Sequence, residues 1–166
     1  MIRRAELKDI PALMDIYNDA ILHTTATFDT EIKGYEDRLA WFQAHTGQYV
    51  IFVYEEAGTV AGYASLSRYR ERKAFDPAVE ISIYIHAGYR GRGIGCSLME
   101  RTLQYAKECP QIGTVVSLIT SENEVSIRLH ERFGFSYCGQ IRQAGVKFGK
   151  KMGLNAYQIV YDREIE

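Results

Sequence analysis

The sequence carries almost no net charge: 20 Lys and Arg stand against 21 Asp and Glu, leaving −1 at neutral pH. No global basic field therefore draws the chain onto nucleic acid, and any cationic site has to be local. Cysteine is sparse. Cys96, Cys109 and Cys138 make an odd count without C-x-x-C spacing, which argues against a disulfide framework and a zinc site, so no metal is expected. No apolar run approaches the ~18 residues of a membrane span. The opening MIRRAELKDI lacks the apolar core of a signal peptide, so the expectation is a soluble, cytoplasmic protein without membrane partners. Repeats, low-complexity tracts and linker-like runs are missing too. Residues 1–166 thus read as one domain, with the 46% hydrophobic and 25% charged fractions of an ordinary globular chain.

What is present is alternation of two periodicities. A short strand at Ile2–Ala5 precedes a helical pattern over 7–22, with apolar residues at Ile10, Leu13, Met14, Ile16, Tyr17 and Ile21. A polar loop, HTTATFDTEIKG, leads to a second short helix over 35–45. Two strands follow around the turn Glu56-Ala57-Gly58-Thr59. AVEISIYIH (78–86) is a further strand, with Val79, Ile81, Ile83 and Ile85 on one face and Glu80, Ser82, Tyr84 and His86 on the other. Then come a helix over 93–109, a strand over 113–120 and a helix over 121–134. That last helix has a capping-box start from Ser121 to Glu124 and a glycine stop at Gly134. Strands over 135–145 and 154–165 close the chain. The class is α/β with a mixed sheet.

The run Arg90-Gly91-Arg92-Gly93-Ile94-Gly95 sits where a strand turns into a helix. Glycines allow close backbone approach, and the first N–H groups of the helix point out of its start towards an anion. Two arginines add charge-assisted hydrogen bonds. Phosphate is the natural ligand. A mononucleotide P-loop is excluded because no G-x-x-x-x-G-K-[ST] string occurs. The dinucleotide fingerprint also fits poorly: the spacing is G-x-G-x-G, the loop follows roughly the fourth strand, and about 20 residues on there is no carboxylate. Cys96 falls near the same helix start, where a thiolate could be stabilised or a small side chain simply packed.

R-G-x-G-I-G after a SIYI strand resembles the acetyl-coenzyme A loop of the GNAT superfamily of N-acetyltransferases. ENEVSIRLHERFGF is similar to the same family's N-x-x-S-x-x-x-[YH]-E-x-x-G-F helix, in family order and at family spacing. Across the whole chain, IYNDAILHTTATFDTE, YRERKAFDPAVEISIYI and AGVKFG resemble the phosphinothricin and methionine sulfoximine acetyltransferase group. The resemblance implies a mostly antiparallel central sheet flanked by helices. It also implies acetyl-CoA held between two splayed strands, and a cleft completed across a homodimer.

Acetyl transfer to an amine needs a base for the ammonium, stabilisation of the thioester carbonyl, and a proton for the leaving thiolate. Glu80 is the base candidate, directly or through a water. It lies on the polar face of an Ile-rich strand just before the glycine loop, although pairing with Arg70 or Arg72, or facing solvent, are equally ordinary fates. Asn123, Ser126 and His130 share one helical face. The resemblance sets Asn123 and Ser126 against the cofactor and His130 where many superfamily members carry a thiol-protonating tyrosine; a histidine there can give or take a proton near neutrality. It also implies cofactor contacts at Ile83, Tyr84 and Ile85 besides the loop from Arg90 to Gly95. Acceptor contacts are implied at Arg70, Arg72, Glu80, Ser82 and Phe28, the arginines forking onto an amino-acid carboxylate. Lys150, Lys151, Met152 and Gly153 depart from the group pattern, which bears on the acceptor pocket or a dimer edge. The expected activity is transfer from acetyl-CoA to the α-amine of methionine sulfoximine, methionine sulfone or phosphinothricin. A protein N-acetyltransferase and a non-catalytic CoA-binding module are the alternatives.

Overall fold

The computed structural model describes residues 1–164. In chain order its elements are β1 (Ile2–Arg4), α1 (Ile10–His23), α2 (Tyr35–Gln43), β2 (Val50–Glu56), β3 (Thr59–Arg68), β4 (Ala78–Ile85), α3 (Ile94–Glu108), β5 (Thr114–Thr120), α4 (Glu124–Arg132), β6 (Ser136–Lys147) and β7 (Lys150–Val160). The strands form one seven-stranded sheet of order β1-β2-β3-β4-β5-β7-β6. Every neighbouring pair is antiparallel except β4 and β5.

Strand alternation sends side chains to two cores. Val50 and Phe52 of β2, Leu66 of β3, and Val79 and Ile81 of β4 pack with Leu98 and Met99 of α3. Ile51, Val53 and Tyr63 point the other way, against Leu13 and Ile16 of α1, with Trp41 and Phe42 alongside. Helices α1 and α2 thus cover one face of the sheet and α3 the other, where Ile127 and Leu129 of α4 join its core. Neither core alone is thick enough to shield the sheet, so the layers stand or fall together. Among the described residues no helix is long and apolar enough to cross a membrane.

Three boundaries differ from the sequence reading, each for a local reason. The helix expected from Leu7 opens as a single 3₁₀ turn, Leu7–Asp9, and α1 begins at Ile10 with Pro11 in its first turn, where a missing N–H costs nothing. Asp9 is drawn off by Arg3, whose guanidinium donates to it at 2.7 and 2.9 Å. The capping box at Ser121 does not form. Ser121 is tied to β7 instead, its backbone N–H on the Gly153 carbonyl and its hydroxyl accepting from the Gly153 N–H at 3.2 Å. The N-cap is Asn123, whose side-chain oxygen accepts from the Ser126 N–H. The last two strands meet closer than expected, at a two-residue turn of Phe148 and Gly149 with φ of 51° and 71°. Residues Lys150–Gly153 therefore begin β7, which ends at Val160; Ile165, expected within that strand, lies outside the described residues.

Candidate active site

The site begins where the sheet opens. β4 is paired with β3 from Val79 to Ile85, but with β5 only from Ala78 to Glu80, opposite Thr114 to Val116. Beyond Glu80 the two strands part, while β5 stays paired with β7 as far as Thr120. From Ile81 onwards the backbone groups of β4 on that side have no ladder partner, and a buried N–H or C=O needs one. A ligand with amides of its own suits that edge.

The parting strands open into a cleft of about 760 Å³. Ile83, Tyr84 and Ile85 form one wall, Gly91, Gly93, Ile94 and Gly95 the floor, and Asn123 and Ser126 of α4 the facing side. Gly91 and Gly93 have φ of 75° and 80°, conformations that a side chain would strain. Gly93 is the N-cap of α3 and supplies no side-chain cap, so the first N–H groups of that helix are left for an anion. Arg90 lines the cleft, and its guanidinium meets Asp19 of α1 at 3.3 Å. All the residues expected at the cofactor border this cleft except Arg92. Arg92 turns away to an ion pair with Glu56 at 3.3 Å and stacks over the Tyr89 ring. Two other arginines take its place, Arg128 and Arg132 on α4. Their spacing of four on the same helix as Asn123 was a readable signal that the sequence analysis did not use. Cys96 is half-buried in the same wall, 3.7 Å from the Arg132 guanidinium.

Deeper in, a gap of about 40 Å³ runs between the two strands, bordered by Ser82, Tyr84, Ser117, Asn123, Ser126 and His130. Ala26, from the loop between α1 and α2, borders both spaces. That loop is strapped down: Thr120 Oγ1 donates to the Thr25 carbonyl and the buried Lys147 to the Thr27 carbonyl, both at 2.8 Å. Tyr17 donates to Asp29 in the middle of the loop, and burial with that bond pushes its phenol up to about 12. Phe28, expected at the acceptor, packs its ring on Gly145 of β6, where an added Cβ would stand 3.0 Å from it, and borders neither space.

Glu80 is at the fork itself. It is half-buried, burial raises its pKa above the ordinary carboxylate value, and the charge of Arg70 pulls it partly back. Arg70 thus stands within electrostatic reach of Glu80, while Arg72 is exposed at the start of a 3₁₀ turn, Lys73–Phe75, and none of the three borders the cleft or the gap. His130 is only 4% exposed. Its Nδ1 meets the Ser126 carbonyl at 2.6 Å and its Nε2 the Ser117 hydroxyl at 2.8 Å. Burial lowers its pKa, partly offset by the Ser126 carbonyl, so the ring is neutral at pH 7. Among the described residues, no group of three or more His, Cys, Asp or Glu is placed to hold a metal ion.

The uncapped helix start suits phosphates, the open strand edge suits amides, and a carboxyl of raised pKa stands at the base of the fork. Comparison with known proteins points the same way. Residues 11–135 match the acetyltransferase (GNAT) family. The L-methionine sulfoximine/L-methionine sulfone acetyltransferase of Salmonella typhimurium is 39% identical over 162 residues, 97% of this chain and 94% of that protein. The phosphinothricin N-acetyltransferase of Streptomyces coelicolor is 36% identical over 95% of this chain and 94% of its own. A solved structure from Salmonella typhimurium, with its cofactor acetyl-CoA, is similar at a TM-score of 0.94 and 38% identity, covering 100% of this chain and 96% of that one.

Proposed function

The chain belongs to the acetyltransferase (GNAT) family, and from that premise we propose that it moves the acetyl group of acetyl-CoA to the α-amine of a small amino-acid analogue. Methionine sulfoximine, methionine sulfone and phosphinothricin are the first acceptors to consider, since relatives named for them match nearly the whole chain. The observation that carries this reading is the fork after Glu80, a carboxyl of raised pKa at its base and a strand edge without a ladder partner leading from it towards the glycine turn.

In this reading the pyrophosphate lies on the backbone N–H groups from Gly91 to Gly95, and Arg90, Arg128 and Arg132 offset its charge. The pantetheine amides pair with the free edge of β4 from Ile81 to Ile85, bringing the thioester to the fork. Glu80 takes a proton from the incoming ammonium; a carboxylate raised by burial is a stronger base than an exposed one. The free amine attacks the thioester carbonyl, the C–S bond breaks, and the thiolate recovers a proton with help from His130. Arg70 faces the acceptor's carboxylate, and Ser82 borders the path between them.

The edge strand β6 supports a homodimer. It ends the sheet, and Tyr137, Ile141, Val146 and Phe148 along it and its turn are each at least 60% exposed, an apolar strip that a second copy would cover. The working location is the cytoplasm, where acetyl-CoA is made, and the role is detoxification of such analogues. The deciding experiment is an acceptor panel that follows free thiol release from acetyl-CoA, with methionine sulfoximine, methionine sulfone, phosphinothricin, ordinary amino acids and short peptides. Turnover of the analogues is expected. Turnover of peptides alone would sink the amino-acid reading.

A further inference from the structure

The hydrogen bonds around His130 decide which of its nitrogens can work. A backbone carbonyl only accepts, so the 2.6 Å contact with the Ser126 carbonyl puts the proton of the neutral ring on Nδ1. Nε2 then carries a lone pair, and the Ser117 hydroxyl, 2.8 Å away, donates to it. With both nitrogens engaged, and the Phe135 ring edge-on at 4.8 Å, the imidazole has no free polar atom to offer a substrate. Ser117 does. It is the first residue of β5 past the last pair with β4, it borders the gap, and its oxygen keeps lone pairs after donating to His130.

We propose that Ser117 carries the proton between the reacting atoms and His130, so that the histidine acts through the serine and not by contact. The proposal rests on the acetyl-transfer reading and completes its proton balance. Glu80 removes the first proton, from the ammonium. After the amine nitrogen bonds to the carbonyl carbon it holds one proton too many. Ser117 Oγ accepts that proton while its own passes to His130 Nε2, giving an imidazolium. When the C–S bond breaks, the thiolate takes the proton from Ser117 Oγ, which recovers one from Nε2. The second proton lost by nitrogen ends on sulfur, Glu80 releases the first to solvent, and the protein is unchanged.

The surroundings favour this cycle. Tyr157 of β7 stands opposite Ser117 in register and is buried; Glu131 and Arg132, next to His130 on α4, are exposed; on β4 the titratable groups are Glu80 and Tyr84. None of these sets the His130 pKa, which burial lowers against the pull of the Ser126 carbonyl.

The test compares S117A, H130Q and the double variant by kcat against pH, with an acceptor from the panel. S117A is expected to lower kcat by about 10²-fold while the KM for the acceptor and the affinity for acetyl-CoA stay within about twofold. It should erase the same acidic limb of the pH profile as H130Q, and the double variant should be no slower than H130Q alone. S117T, which keeps the hydroxyl, should restore much of the rate. A fully active S117A, or single losses that multiply in the double variant, would overturn the relay while leaving acetyl transfer standing. A wild type that acetylates no amine overturns both. Should S117A not fold, nitrogen NMR of the wild-type protein still decides: a proton found on Nε2 in place of Nδ1 removes the relay.

Discussion

The molecule contains the same hydrogen-bond device twice. His45, just past α2, meets the carbonyl of Trp41, four residues before it, at 2.7 Å through Nδ1 and the hydroxyl of Ser67 at 2.8 Å through Nε2. His130 on α4 meets the carbonyl of Ser126, also four residues before it, and the hydroxyl of Ser117 on β5. Both rings are pushed below the ordinary histidine pKa by burial. Their surroundings differ in one respect. Ser67 lies on β3 inside a closed ladder, paired in register with Glu80, whereas Ser117 lies just past the point where β4 and β5 separate. Hydrogen bonding alone does not make a histidine chemical. What separates the two is the parting of the strands, which leaves the gap of about 40 Å³ beside Ser117 and a paired strand beside Ser67.

Glu80 stands where the closed ladder meets the fork, paired with Ser67 on one side and Val116 on the other, so its removal has the largest expected effect. E80Q should lower kcat by about 10³-fold near neutral pH with acetyl-CoA affinity within about twofold by calorimetry. Full activity would take the base role away from the fork. Next in size is the contrast between the two histidines. H130Q should cost about 10²-fold in kcat, and H45Q less than about threefold. A large kinetic loss in H45Q would break the comparison and show the closed pair feeding Glu80 through Ser67. The arginines divide in the same way. R132A, on the open side, is expected to weaken acetyl-CoA by about tenfold, and R92A, whose charge is spent on Glu56, by less than about twofold. Equal losses would mean that Arg92 swings into the cleft when the cofactor binds.

The smallest effect is on stability, and there the histidines should agree. Each is held neutral in the folded chain, so as pH falls below the ordinary value of 6.5 the unfolded chain takes up protons first. Their contribution is complete above that value and is lost on acidification towards the lowered folded pKa. Melting temperature should therefore fall as the pH drops below about 6.5 in the wild type, and H45Q and H130Q should each flatten that slope. A slope unchanged in both variants would assign the acid sensitivity to other groups.

Much of this was legible in the order of residues. Alternation in AVEISIYIH gave both faces of β4 correctly, and the glycine turn fell at the cleft, since period and turn chemistry are properties of neighbours in the chain. Asn123, Ser126 and His130 were rightly placed together because helical spacing is local; in the fold they form a chain, Asn123 capping the Ser126 N–H and Ser126 holding His130. Ser117 and Ser67 were invisible, each an isolated serine in a strand whose partner is set by packing. Arg92 looked equivalent to Arg90, and only the position of Glu56 across the loop separates them. Phe28 was expected to face the acceptor, yet it is seated on Gly145, far along the chain.

By itself, then, the sequence determined the kinds of element, their order, the glycine turn and the family to which the chain belongs. Tertiary structure alone decided where the sheet opens, which arginines face the cleft, and which of two identically bonded histidines lies beside it. The reason is physical: hydrophobic period and turn chemistry act over a few residues, while where β4 leaves β5, as β5 stays paired with β7, depends on strands far apart in the chain that no local pattern encodes.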